Sequence, residues 1–116
     1  HLFFFITMEK FLKISLSDVY HLIPIKNILG IEVGADQTVN VLYNSVGHTA
    51  TGASEVLGVA ITAATADDAA KTKEQLVSIV DAIEKALQTS WLNPFYVLEP
   101  KFPITGIAQI EVEYSA

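Results

Sequence analysis

Apolar and polar positions alternate along most of this chain, and one long stretch switches to a helical period. Between Lys10 and Leu16, Leu12, Ile14 and Leu16 alternate with Lys13 and Ser15, the pattern of a half-buried strand. Ser17-Asp18 marks a turn. Tyr20 to Ile25 is a second apolar stretch, and Pro24 argues against a central, fully paired strand there. Leu29, Ile31 and Val33 alternate with Gly30 and Glu32. Gly34-Ala35-Asp36-Gln37 then turns the chain, and Val39, Val41 and Tyr43 alternate with Asn40 and Leu42. Residues 28–33 and 38–43 therefore read as a hairpin. Asn44 to Ser54 has no period and reads as a long loop. Leu57, Val59 and Ile61 carry a strand from Glu55 to Ala63. Phe95 to Leu98 is apolar, and Pro100 and Pro103 interrupt the chain beyond it. In the last strand Ala108, Ile110, Val112 and Tyr114 face one way, and Gln109, Glu111 and Glu113 face the other.

The helical period predicts a helix over about 67–89. At about 100° per residue, Ala69, Thr72, Leu76, Ile79, Val80, Ile83 and Leu87 share one face. Thr65 or Asp67 is the expected N-cap. Asp67–Lys71 and Asp81–Lys85 are acid-before-base i,i+4 pairs, and Asn93-Pro94 stops the element. Such a helix is roughly 34 Å long at ~1.5 Å per residue, so it must cross a whole sheet face. The expected class is α+β. Six or seven mostly antiparallel strands form a sheet or a small Sm-like barrel, with the helix before the last two strands. The order lacks the βαβ alternation of a parallel sheet.

Composition narrows the possible functions. The 116 residues suffice for one domain. Apolar residues make up 51% and charged ones 17%, against a usual charged share of about 25%, which excludes intrinsic disorder. Cysteine is absent, which excludes disulfide scaffolds, thiol catalysis and thiolate metal sites. Thirteen acids stand against seven lysines, with no arginine, for a net charge of −6. His1 to Thr7, with its run Leu2-Phe3-Phe4-Phe5-Ile6, precedes Met8-Glu9-Lys10 and reads as a non-native or mis-called extension. Residues 8–116 read as a single domain. The apolar run is too short for a secretory core or a bilayer span, which needs ~20 residues. Phe3, Phe4 and Phe5 are expected to pack on the domain or on a neighbouring copy.

No catalytic constellation is written locally. G-x-S-x-G does not occur, and His48 lies in a polar loop with no evident nucleophile beside it. His21 sits among apolar residues, where a hydrogen-bonded strand histidine is the plainer explanation. His1, His21 and His48 have no metal-ligand spacing, and Asp67-Asp68 suits a helix start better than a cation. Gly47-His48-Thr49-Ala50-Thr51-Gly52 lacks the G-K-[ST] ending and precedes a strand, so it is not a P-loop. Glu111 and Glu113 share a strand face and read as solvated. An acidic chain without arginine is ill suited to nucleic acid. These features point to no enzyme, no cofactor, no metal, no membrane contact and no evident small-molecule ligand.

Self-association is the better expectation. Val46 to Ala66 is nearly all small or β-prone, with Glu55 and His48 its only ionisable residues, and such surfaces need cover. Trp91, Phe95 and Tyr96, close to Phe102, are the expected apolar anchors of a subunit contact, together with Phe3, Phe4 and Phe5.

Two resemblances bear on function. Lys10-Phe11-Leu12-Lys13-Ile14, Leu22-Ile23-Pro24-Ile25 and Ile28-Leu29-Gly30-Ile31-Glu32-Val33 resemble small structural proteins of marine tailed bacteriophages. The likeness continues through Asp81-Ala82-Ile83-Glu84-Lys85-Ala86-Leu87-Gln88-Thr89-Ser90-Trp91 and Pro94-Phe95-Tyr96. It implies a non-catalytic virion or assembly role, in a soluble protein made in the cytoplasm. The run of short strands is also similar to the small barrel of Sm-like proteins, which form rings and commonly bind RNA. This chain departs from them by starting with strands, inserting its helix late and lacking recognisable RNA-binding loops.

Overall fold

The computed structural model describes residues 9–35, 37–44, 55–90 and 92–113. Their order is β1 (Phe11–Leu16), β2 (Val19–Pro24), β3 (Ile28–Val33), β4 (Thr38–Tyr43), β5 (Glu55–Thr62), α1 (Ala69–Gln88), β6 (Phe95–Val97) and β7 (Gly106–Glu113). The alternating segments form these strands at nearly the expected bounds. The hairpin of residues 28–33 and 38–43 forms as read, with a register shift between Ile28 and Gly30. The tight connections use left-handed backbone at Ser17, Asn27 and Gln37, with φ of 55°, 67° and 70°.

The strands divide between two sheets. Sheet A has the order β2-β1-β6 and sheet B the order β3-β4-β5-β7. All pairings are antiparallel except β1 with β6, which is parallel. Among the described residues neither sheet closes into a barrel. Pro24 ends β2, an edge strand, as its missing N–H requires.

Both sheets turn an apolar face to one core. Leu12, Ile14 and Ile23 from sheet A meet Val39, Val41 and Ile61 from sheet B, with Ile79, Ala82, Ile83 and Ala86 from the helix. The helix packs against β3 and β4 of sheet B and against β6 and β1 of sheet A, closing one side between the sheets. On the opposite side β2 and β7 leave a cleft of about 460 Å³, lined by Ile23, Leu57, Val59 and Ile107 with His21 and Gln109 as polar members.

Two details of the helix differ from the sequence expectation. The N-cap is Asp68, whose Oδ1 accepts from the Lys71 N–H at 2.7 Å, so neither Thr65 nor Asp67 caps it. Asp67 instead forms the expected ion pair with Lys71, at 3.2 Å. The buried face comprises Thr72, Gln75, Ile79, Ala82, Ile83 and Ala86. That face is rotated by about 60° from the expected one at ~100° per residue, and it leaves Leu87 half exposed. Small alanines allow close approach, and both buried polar residues of the helix are satisfied. Gln75 Nε2 donates to the Phe102 carbonyl at 3.0 Å, and the Phe102 N–H donates to Gln75 Oε1 at 2.8 Å. The Thr72 hydroxyl lies 3.0 Å from the Ala66 carbonyl and 2.9 Å from that of Asp68.

Lys10 is the third buried polar residue, only 1% exposed. Its ammonium donates to the Ala86 carbonyl at 2.6 Å, to the Thr89 carbonyl at 2.9 Å and to the Thr89 hydroxyl. A positive charge there meets the negative end of the helix dipole. The start of β1 is thereby tied to the end of α1.

Candidate self-association surface

The outer face of sheet A is fixed by strand parity. Leu12, Ile14 and Ile23 point inward, so their neighbours Phe11, Lys13, Leu22 and Pro24 point outward. Tyr20 pairs with Ser15 on the same outward side. In β6 the register sets Phe95 beside Phe11 and Val97 beside Lys13, which turns both outward. The result is an apolar sheet face with nothing packed on it among the described residues. Tyr20 is 63% exposed, Leu22 46%, Phe95 50% and Val97 56%.

The face is organised around one cation. Lys13 Nζ lies 4.4 Å from the centroid of the Tyr20 ring, a cation–π contact that holds the ammonium down on the sheet. The Phe11 and Phe95 rings stand 6.1 Å apart, tilted by 35°. No acid occupies these strand positions, although the chain carries a net charge of −6. The exposed fractions of Tyr20, Leu22, Phe95 and Val97 amount to roughly 400 Å², at about 150–250 Å² per large side chain. Apolar atoms make up about 57% of a typical interface, so such a patch fits one of roughly 700 Å² per partner, near the common ~800 Å².

The expected contact residues fare differently. Phe95 lies on this face, whereas Tyr96 pairs with Leu12 and turns toward the core. Phe3, Phe4, Phe5 and Trp91 lie outside the described residues, as do His48 and the Gly47–Gly52 segment. Sequence reasoning misses Phe11, Tyr20, Leu22 and Val97 as members of the face. The signal available for β2 is that it carries apolar residues on both parities, Tyr20 and Leu22 as well as Val19 and Ile23.

No family model matches the chain, and no curated protein or solved structure does. His21 is half buried and lines the cleft beside β7. Tyr43 borders the same cleft, and its hydroxyl donates to the Pro24 carbonyl at 2.7 Å, joining sheet B to sheet A. Burial pushes the Tyr43 phenol well above its usual range. Glu111 is exposed on β7. Among the described residues no three His, Asp or Glu side chains gather as a metal site. An open groove of about 600 Å³ runs along the outer side of the helix, where Lys73, Glu74, Asp81 and Lys101 mix both signs of charge. No helix among the described residues is long and apolar enough to cross a membrane.

Proposed function

We propose that this chain is a non-catalytic structural protein that assembles with copies of itself, as a component of a tailed-phage particle. The observation that carries the reading is the acid-free apolar outer face of sheet A. An exposed apolar patch of this size is often functional, and here it is continuous across three strands. In a protein of net charge −6, this face is where two copies approach with least repulsion. The phage setting rests on the resemblance of residues 10–34 and 81–96 to small phage structural proteins.

Light scattering on the eluting protein at tens of micromolar tests this, on the full chain and on a version starting at Met8. The expected result is a defined oligomer in both. The double substitution Leu22→Glu with Val97→Glu sets acids against acids across the face, and it is expected to lower the mass. A monomeric full chain refutes the reading. Salt-dependent binding of a single-stranded oligonucleotide would instead favour an Sm-like ring.

A further inference from the structure

The described sheets have four edges, and three are blunted. β2 ends in Pro24, which has no N–H to donate. β6 has three residues. β3 is interrupted by its register shift between Ile28 and Gly30. β7 is different. It runs eight residues in unbroken register with β5, from Gly106 opposite Thr62 to Glu113 opposite Glu55, without proline, lysine or bulge. Among the described residues no strand pairs with its other edge. Natural proteins seldom leave such an edge free, because its unpaired N–H and C=O groups template a further strand.

We infer that β7 is a second contact between copies, pairing antiparallel with β7 of another copy about a two-fold axis at Ile110. The inference rests on the self-association reading and names a surface separate from sheet A. Residues directly opposite in a sheet share a face, so a two-fold perpendicular to the sheet must pass through a residue paired with itself. Charge then narrows the register. Centred on Glu111, the pairing sets that acid against itself; centred on Val112, it sets Glu111 against Glu113. Like charges directly opposite are destabilising. Centred on Gln109, it opposes no acids but sets Glu111 against Ile107. Centred on Ile110, it sets Glu111 opposite Gln109 in both directions, where the amide can donate to the carboxylate, and that pair selects Ile110. The two four-stranded sheets become one of eight strands. Of the edges of the described sheets, only β7 has an unbroken set of backbone groups to match β7, which is why a second copy is the occupant.

The absence of cysteine makes the test direct, since Ile110→Cys supplies the only thiol. Directly opposed Cβ atoms lie about 4.5–5.5 Å apart, within small adjustment of the ~3.5–4.5 Å of a disulfide. Under mild oxidation at tens of micromolar, Ile110→Cys is expected to form covalent dimer at least tenfold faster than Glu84→Cys, whose thiol sits on the exposed side of the helix. Gln109→Cys is expected to match the slow control, because its opposite number is Glu111. The fast cross-link is also expected to persist in the Leu22→Glu, Val97→Glu background. If the wild-type chain is oligomeric but Ile110→Cys cross-links no faster than Glu84→Cys, the β7 contact is refuted and self-association stands. If Gln109→Cys is the fast variant, the stated register is refuted. A monomeric wild-type chain with no fast cross-link refutes both.

Discussion

Replacing Lys10 with methionine removes the ammonium from the end of α1 while keeping the apolar stem. Two opposing magnitudes decide the outcome. Burying an ammonium costs several kcal/mol, which the substitution recovers. Against that, hydrogen bonds from a charged donor contribute about 1.5–3 kcal/mol each, and favourable placement at a helix C-terminus up to ~2 kcal/mol. Three such bonds run from Lys10 to the Ala86 carbonyl, the Thr89 carbonyl and the Thr89 hydroxyl, from a site that is 1% exposed. The acceptors are left unequally placed. The Ala86 carbonyl keeps the Thr89 hydroxyl at 2.8 Å and the Thr89 N–H at 3.2 Å, while the Thr89 carbonyl loses the lysine outright. The Thr89 carbonyl is only partly buried, so water can take the lysine's place there at part of the about 1–3 kcal/mol that a fully buried orphan acceptor costs. The expected net loss for Lys10→Met is about 2–4 kcal/mol. Urea unfolding should show a lower midpoint with an unchanged slope, and the thermal midpoint should fall by roughly 8–15 °C at about 4 °C per kcal/mol for a chain this long. A double-mutant cycle with Thr89→Val should return a coupling of ~1 kcal/mol or more. Stability within ~0.5 kcal/mol of wild type would refute the reasoning. It would mean that ammonium desolvation cancels everything the lysine gains.

Gly58→Ala should destabilise by about 1–3 kcal/mol, because a Cβ there would stand 2.9 Å from the Val41 carbonyl and 3.0 Å from the Leu42 side chain; chemical denaturation measures it. Gln75→Leu should cost about 2–3 kcal/mol and speed proteolysis between Glu99 and Thr105, since the amide holds both backbone groups of Phe102. Tyr43 gives a pH signature. Its folded pKa is raised, so its contribution is complete below the ordinary phenol pKa of about 10 and is lost as pH rises above it. Unfolding titrations from pH 8 to 11 should therefore show a shallower alkaline loss for Tyr43→Phe than for wild type, and equal slopes would refute the assignment.

What could be read from sequence depended on whether a local signal existed. The hairpin of residues 28–33 and 38–43 was legible because alternation and turn residues coincide around Gly34-Ala35-Asp36-Gln37. The helix was legible in extent but not in facing. Period analysis weights Leu76, Val80 and Leu87, whereas the buried face uses Gln75, Ala82 and Ala86, chosen by close packing and by the Phe102 backbone. The division into two sheets was not legible, because alternation reports a half-buried strand and not its partner. The parallel pairing of β1 with β6 joins segments about eighty residues apart, with no local trace. Lys10 did leave a trace. It stands in phase with Leu12, Ile14 and Leu16, so its inward direction is given by period 2 once a polar residue is allowed to keep that phase. The outer face of sheet A was half legible: Phe95 stands out by its aromatic character, while Tyr20 and Leu22 required knowing that β2 turns Ile23 inward.

The two proposed contacts lie on different sheets, and that constrains how copies assemble. The β7 contact is isologous, and if the sheet A face meets the same face of a second copy that contact is isologous too, so that each alone gives a dimer and nothing larger. With both present, every copy has two neighbours. If the two axes intersect at a suitable angle, the set closes as a dihedral oligomer with an even number of copies. If they do not, the chain of copies would stay open and its mean mass would rise with concentration, against the defined oligomer expected of the wild-type chain. Single-surface variants separate the contributions. Leu22→Glu with Val97→Glu should leave β7-paired dimers, and Ile110→Lys, which opposes two lysines at the axis, should leave dimers joined through sheet A. Combining all three substitutions should leave monomers. A wild-type trimer or pentamer would contradict this directly, because rings of odd order need a head-to-tail contact that neither surface supplies.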